Sequence, residues 1–148
     1  TVLHDVEKYK SVTFLAGAKT PKDCIYKDEA TEWRKHKNVK FIRAVDQVPD
    51  GEKWDEDVCL VTKLLEKVDY KPNGNPAVVC GPPVMMKFGT MDLLKLGYKE
   101  DQIYLSMEKK MYCGFGQCRH CVIGEYYACK DGPVFTYAQI KNEEAIWD

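Results

Sequence analysis

The chain has 148 residues, of which 45% are hydrophobic and 30% are charged, and this fits one globular domain with an ordinary apolar core. Its 22 basic and 23 acidic residues give a net charge of −1, so there is no electrostatic case for binding nucleic acid or an anionic membrane. The longest stretch without a charged residue, Pro72 to Met86, is too short to span a bilayer, and no basic and apolar export signal opens the chain.

Apolar strands alternate with helical patterns through the first two thirds of the chain. A buried strand is predicted at Val12 to Ala16, and a helix follows over 20–36, opening on a capping box at Thr20. A second strand covers Val39 to Val45, and a polar loop occupies 46–55. Apolar residues spaced three and four apart then predict a helix over 58–68.

The alternation continues with a third strand at Pro76 to Cys80, whose all-apolar sequence is typical of a strand covered on both faces. Gly81-Pro82-Pro83 opens a helix that ends at Gly97, and Ile103 to Met107 forms a fourth strand. The order of elements predicts an α/β fold with a parallel sheet and right-handed crossovers, the architecture of nucleotide-binding domains.

From Glu108 onward the pattern changes to cysteine, glycine and aromatic residues, until a capping box at Thr136 starts a short terminal helix. We therefore divide the chain into an α/β domain over 1–107 and a cysteine-rich arm with the terminal helix over 108–148.

Four of the seven cysteines have the spacing of a metal centre. Cys113, Cys118 and Cys121 form a C-x4-C-x2-C motif, and seven residues separate Cys121 from Cys129, which is the plant-type spacing for a [2Fe–2S] cluster. Glycines between the first two cysteines let the loop wrap the cluster and turn its amides towards the sulfurs. The alternatives are a structural zinc site, although only one pair has C-x2-C spacing, and unrelated buried cysteines.

The other three cysteines lie in the α/β domain. Cys59 falls on an apolar face and Cys24 in the first turns of a helix, where a packing role is the simpler interpretation. Cys80 ends a strand and precedes Gly81 and Pro82, which is where α/β sheets present ligand-binding groups. We therefore assign Cys80 a functional role.

Three segments at predicted strand ends are candidates for binding a nucleotide: Gly17-Ala18-Lys19, Asp46-Gln47 and Cys80-Gly81-Pro82. Gly17 would let the backbone approach a ribose or phosphate, and Lys19 would meet phosphate charge; the alternative is an ordinary turn with a solvated lysine. A G-x-G-x-x-G fingerprint, which carries a pyrophosphate, is absent, and no hydrolase motif is present.

Three longer segments together resemble one family. They run over 78–88 (Val-Val-Cys-Gly-Pro-Pro-Val-Met-Met-Lys-Phe), 106–111 (Ser-Met-Glu-Lys-Lys-Met) and 129–137 (Cys-Lys-Asp-Gly-Pro-Val-Phe-Thr-Tyr), and 17–29 agrees as well. They resemble the carboxy-terminal half of flavin- and [2Fe–2S]-containing electron-transfer subunits of the ferredoxin–NADP reductase superfamily. The closest types are the sulfhydrogenase γ subunit and the electron-transfer subunit of anaerobic sulfite reductase; the dihydroorotate dehydrogenase electron-transfer subunit is more distant.

The resemblance implies three cofactors. An amino-terminal β-barrel would hold FAD, the α/β domain would hold NAD(P)H, and the four arm cysteines would hold the cluster. Cys80, Gly81 and Pro82 would lie beside the nicotinamide, where Cys80 shapes the hydride-transfer site rather than acting as a nucleophile. Gly17, Ala18 and Lys19 would lie near the adenosine ribose, with Asp46 in the same nucleotide site.

The sequence departs from that family in one respect: it has no flavin barrel and no first nucleotide-domain strand with its glycine-rich turn. We therefore expect a fragment whose first residues, Val2 to Tyr9, end the helix after that turn. We also expect a compromised nucleotide site, or a second copy filling the place of the missing central strand.

The predicted function is electron transfer within an NAD(P)H-dependent flavin and iron–sulfur oxidoreductase. Hydride from NAD(P)H would reach FAD on the absent domain, and single electrons would pass through the cluster to a catalytic subunit such as a hydrogenase or a sulfite reductase. Cysteines clustered in this way suit a reducing compartment, so we expect a cytoplasmic protein. The alternatives are a stand-alone ferredoxin-like carrier and a zinc-stabilised interaction module.

Overall fold

A computed structural model of the chain describes residues 5–68, 72–144 and 146–147. They belong to two compact units, an N-terminal unit over Thr1–Asp69 and a C-terminal unit over Tyr70–Asp148, which are described separately. Of the helix end expected over 2–9, residues 2–4 lie outside the described residues, and Val6–Lys8 forms a single 3-10 turn.

The N-terminal unit is built on a three-stranded parallel sheet. Strands β1 (Val12–Ala18) and β2 (Val39–Val45) pair in parallel along all seven residues, and the two-residue strand β3 (Asp57–Val58) extends the sheet beyond β2. The parallel pairing confirms the predicted sheet type. Because parallel strands end at the same edge, the segments after β1 and β2 lie side by side.

The connections in this unit are less helical than the sequence pattern indicates. The helix predicted over 20–36 is a 3-10 turn, Pro21–Asp23, followed by helix α1, Lys27–Trp33. The break lies at Tyr26, whose φ of 53° is left-handed and cannot continue a right-handed helix. The helix predicted over 58–68 is a 3-10 helix, Val61–Lys67.

Aromatic rings and one fully buried leucine form the core of the N-terminal unit. Phe14 of β1 stacks on Phe41 of β2 with ring centroids 5.1 Å apart, and Trp33 of α1 packs 5.6 Å from Phe41. Leu64 of the 3-10 helix has no solvent exposure. The aromatic contacts cover the face of the sheet on which the paired residues Phe14 and Phe41 lie.

The C-terminal unit contains a second sheet. Strands β4 (Ala77–Cys80) and β5 (Ile103–Ser106) pair in parallel, and helix α2, Pro83–Lys95, connects them. From its all-apolar sequence, β4 was predicted to be buried on both faces of the sheet. That prediction is wrong, because Val78 is 69% exposed and Cys80 is also exposed. In the described part of the chain β4 is hydrogen-bonded to β5 alone, so the four main strands form two sheets instead of one.

The rest of this unit is the cysteine-rich arm. Strands β6 (Val122–Ile123) and β7 (Tyr126–Tyr127) form a short hairpin, and β8 (Val134–Thr136) returns to pair antiparallel with β5. Helix α3, Tyr137–Ile140, starts at the predicted capping box, in which the side-chain oxygen of Thr136 accepts a hydrogen bond from the Gln139 amide. Within the described residues, no helix is both long enough and apolar enough to cross a membrane.

Candidate functional site

The loop that carries the first three arm cysteines is shaped by positive φ angles. Gly114 has a φ of 77° and Gly116 a φ of 79°, and Arg119 is also left-handed with a φ of 61°. Glycine adopts such angles without the steric cost that a Cβ adds, so the two glycines favour this backbone path. The turns direct backbone amides of this loop towards cysteine sulfurs.

Cys113 and Cys118 lie together at the start of this loop. The Cys113 Sγ accepts backbone N–H groups from Gln117 at 3.3 Å and from Cys118 at 3.4 Å. Hydrogen bonds from the Phe115 and Cys118 amides, with a further one from the Cys118 side chain, lower the pKa of the Cys113 thiol to about 6. The loop therefore stabilises a thiolate at position 113.

Cys121 and Cys129 form the second sulfur pair. Their Sγ atoms are 3.2 Å apart, and the Cys129 Sγ accepts the backbone N–H of Gly116 at 3.1 Å. The β6–β7 hairpin makes this possible, since the Ala128 amide donates to the Cys121 carbonyl at 2.9 Å at its base. Without a metal, the hydrogen bond that Cys129 shares with Cys121 favours the protonated thiol and raises the pKa of Cys129, and burial acts in the same direction.

The four sulfurs are arranged as two pairs, and this bears on which metal they suit. Among the described residues, no three His, Cys, Asp or Glu side chains form a site that could hold a metal ion. His120, between Cys118 and Cys121, is exposed and its ring packs 4.3 Å from the ring of Tyr112. Four soft thiolate donors in two pairs, with amides aimed at them, fit a two-iron cluster better than one tetrahedral zinc ion.

In the N-terminal unit, the predicted nucleotide segments of β1 and β2 are adjacent. The Asp46 amide donates to the Ala18 carbonyl at 3.0 Å, and the Gln47 amide donates to the Lys19 carbonyl at 3.1 Å. Lys19 is exposed. Gly17 has a packing role here: a Cβ added to it would lie 2.6 Å from the Cβ of Val61.

A cavity of about 150 Å³ opens beside the end of β1. Its lining includes Gly17 and Ala18, together with Asp23, Cys24 and Arg43, which were not predicted as ligand-binding residues. Arg43 is a charged residue within the largely apolar strand β2, and this is the sequence signal that could have identified it as a ligand-binding residue. The volume is enough for a ribose or a phosphate group, but not for a whole nucleotide.

The guanidinium of Arg43 is held by Glu56. The Arg43 Nε donates to the Glu56 carboxylate at 2.8 Å, and Arg34 donates to its other oxygen at 2.5 Å. Burial by itself would raise the pKa of the Glu56 carboxyl, but the hydrogen bonds from Arg43 and Arg34 outweigh it, so this pKa lies below its usual value. Glu56 thus fixes the position of the cation beside the cavity.

In the C-terminal unit, Cys80, Gly81 and Pro82 follow the end of β4. Cys80 is exposed and pairs in register with Ser106 at the end of β5.

An open groove of about 590 Å³ starts at Ser106 and continues towards the cluster loop. Its lining is Ser106, Met107, Glu108, Lys109, Lys110, Met111 and Pro133. Of the three predicted nucleotide segments, two thus lie in the N-terminal unit and one in the C-terminal unit.

Comparison with protein families gives two matches along the chain. Residues 1–90 match the oxidoreductase NAD-binding domain. Residues 108–141 match the iron-sulfur cluster binding domain of dihydroorotate dehydrogenase B. The second match covers all four arm cysteines. Together the two matches confirm the resemblance seen in the sequence motifs.

Curated relatives agree with this. The chain is 35% identical to the sulfhydrogenase 2 γ subunit of Pyrococcus furiosus, over 90% of this chain and 51% of that protein. It is 29% identical to the dihydroorotate dehydrogenase B (NAD(+)) electron transfer subunit of Listeria innocua, over 90% of this chain and 49% of that protein. The chain therefore spans about half the length of these relatives.

Solved structures agree at the level of the fold. An NADH-dependent reduced ferredoxin-NADP oxidoreductase matches with a TM-score of 0.65 at 22% identity, covering 94% of this chain and 48% of that one. The cytochrome b5 reductase domain of Ulva prolifera nitrate reductase matches with a TM-score of 0.56 over 70% of this chain. These matches confirm the predicted α/β fold class.

Proposed function

This chain belongs to the oxidoreductase NAD-binding domain family, and from that membership we propose that it transfers electrons between a nicotinamide nucleotide and a [2Fe–2S] cluster. Two of its relatives bear the names of a hydrogenase γ subunit and of an NAD(+)-linked electron transfer subunit. The cluster accepts one electron at a time, whereas a nicotinamide gives two as hydride, so a flavin must connect them. We place that FAD on a domain outside this chain.

The observation that carries the proposal is the arrangement of the four arm sulfurs. Cys113 and Cys118 would hold one iron, and Cys121 and Cys129 would hold the other. Amides of the loop already point at the Cys113 and Cys129 sulfurs. When the cluster is bound, these N–H groups stabilise negative charge on the thiolates, which makes the cluster easier to reduce.

Nucleotide contacts are proposed for each unit by itself. Gly17, Ala18, Lys19 and Asp46 are proposed for the adenosine end, a role supported by the cavity next to β1. Exposed Cys80, with Gly81 and Pro82, is proposed for the nicotinamide end. There the Cys80 thiol would shape the surface against which the ring lies, without forming a bond to it.

The wider assembly follows from this assignment. The functional division is an NAD(P)-binding part over 1–107 and a cluster arm over 108–148, supported by where the two family matches fall. Electrons would pass to a catalytic subunit, such as a hydrogenase or a sulfite reductase, in the cytoplasm. A second copy of the chain is a further proposed contact, pairing along the edge of β4 that has no neighbouring strand among the described residues.

Nucleotide titration tests the reductase function against a stand-alone cluster carrier. We expect cluster-containing protein to bind NADH or NADPH weakly in isothermal titration. Replacing Lys19→Glu should weaken that binding several-fold, because it places a negative charge beside the phosphates. The matched control is Lys37→Glu, also exposed in the N-terminal unit, which should have no effect. A red-brown protein that binds neither nucleotide would favour the stand-alone carrier.

A further inference from the structure

The cluster loop carries an unusual group of exposed apolar side chains. Met111 is 48% exposed, Tyr112 70% and Phe115 63%, and we call these three residues the cluster-loop surface. Single exposed apolar residues are common, but three within five positions, on either side of a proposed cluster ligand, form a local patch. The ring of Tyr112 rests on His120, which ties the patch to the far end of the loop.

Basic residues border this patch. Between residues 108 and 130 the chain has four Lys or Arg and only two acidic residues, although its overall net charge is −1. Lys110 lies immediately before the patch, Arg119 follows Cys118, and both side chains are exposed. An apolar centre within a basic border is complementary to a partner with an apolar centre and an acidic border.

We propose that the cluster-loop surface is the docking site of an acidic protein that exchanges electrons with the cluster. The proposal rests on the proposed function, since it requires a cluster held next to Tyr112 and Phe115. In each encounter the reduced cluster loses one electron and the partner gains it, with no bond made or broken. Such redox encounters are typically small and transient, so a patch of this size suits them.

Stopped-flow oxidation of the reduced holoprotein tests this with three acceptors. The probes are an acidic plastocyanin, a basic cytochrome c and the small anion ferricyanide. We expect plastocyanin to react faster than cytochrome c at low salt, with a rate that falls on the order of tenfold when the ionic strength rises. Arg119→Glu should slow plastocyanin by a similar factor, whereas Lys37→Glu, which reverses an exposed charge in the N-terminal unit, should leave its rate unchanged.

Tyr112→Ser separates docking from any change in the cluster itself. It should slow plastocyanin several-fold and leave the ferricyanide rate and the visible spectrum unaltered, because a small ion needs no apolar surface to dock on. Equal rates for the two proteins, or a Tyr112→Ser effect of the same size on ferricyanide, would overturn the docking proposal while the cluster remained intact. Protein without iron and sulfide would instead contradict the proposed function, and the docking proposal with it.

Discussion

Replacement of Gly17 by alanine tests whether this glycine is required for packing rather than for access to a nucleotide. The added Cβ would lie 2.6 Å from the Cβ of Val61 and 3.2 Å from both of its methyl carbons. Ordinary carbon contacts are about 3.5–4.0 Å, so β1 and the 3-10 helix must separate by about 1 Å. Overpacking of this kind costs about 1–3 kcal/mol.

The assay is urea unfolding followed by circular dichroism, with thermal melts in parallel. A loss of about 2 kcal/mol corresponds to a drop of about 4–8 °C in Tm for a chain of this length. Val61→Ala removes the two methyl groups, so it should relieve part of the cost, and the double variant should be more stable than the sum of the single effects indicates. Gly17→Ala with wild-type stability, or strictly additive effects, would refute the packing argument.

Three further predictions concern charge and cysteine chemistry. Glu56→Gln should lower the free energy of unfolding by about 1 kcal/mol, because two guanidinium groups lose their shared charged partner. The pKa of Glu56 in the folded state lies below its ordinary value of 4.5, so the stability difference between wild type and variant is complete above pH 4.5 and disappears as the pH falls through the folded-state pKa. Urea midpoints measured across this pH range would show the dependence. Cys129→Ser should lose the iron and sulfide that Cys80→Ser retains, as metal analysis of both variants would show. In cluster-free protein, Cys113 should be the first cysteine alkylated by iodoacetamide, with half-maximal reactivity at about pH 6, and peptide mass spectrometry would detect a different order.

The sequence was most informative where local chemistry decides structure. The capping boxes at Thr20 and Thr136 are both formed, because each needs only residues three apart in the chain. The left-handed glycines of the cluster loop were likewise predictable from their place between cysteines. Local signals of this kind predicted the fold class and the cluster loop.

Features that depend on distant residues could not be predicted in this way. The helix over 20–36 breaks at Tyr26, a residue with no turn preference that would have marked the break. Exposed Val78 shows that an apolar strand need not be covered on both faces. The link between Arg43 and Glu56 joins residues 13 apart, and only the packing of β2 against the loop before β3 brings them together.

We propose above all that the four arm cysteines hold a [2Fe–2S] cluster. The most direct test is the iron and acid-labile sulfide content of anaerobically purified protein, together with its visible spectrum. We expect about two irons and two sulfides per chain and a red-brown colour that bleaches on reduction. One zinc ion with no sulfide, in a colourless protein, would contradict it.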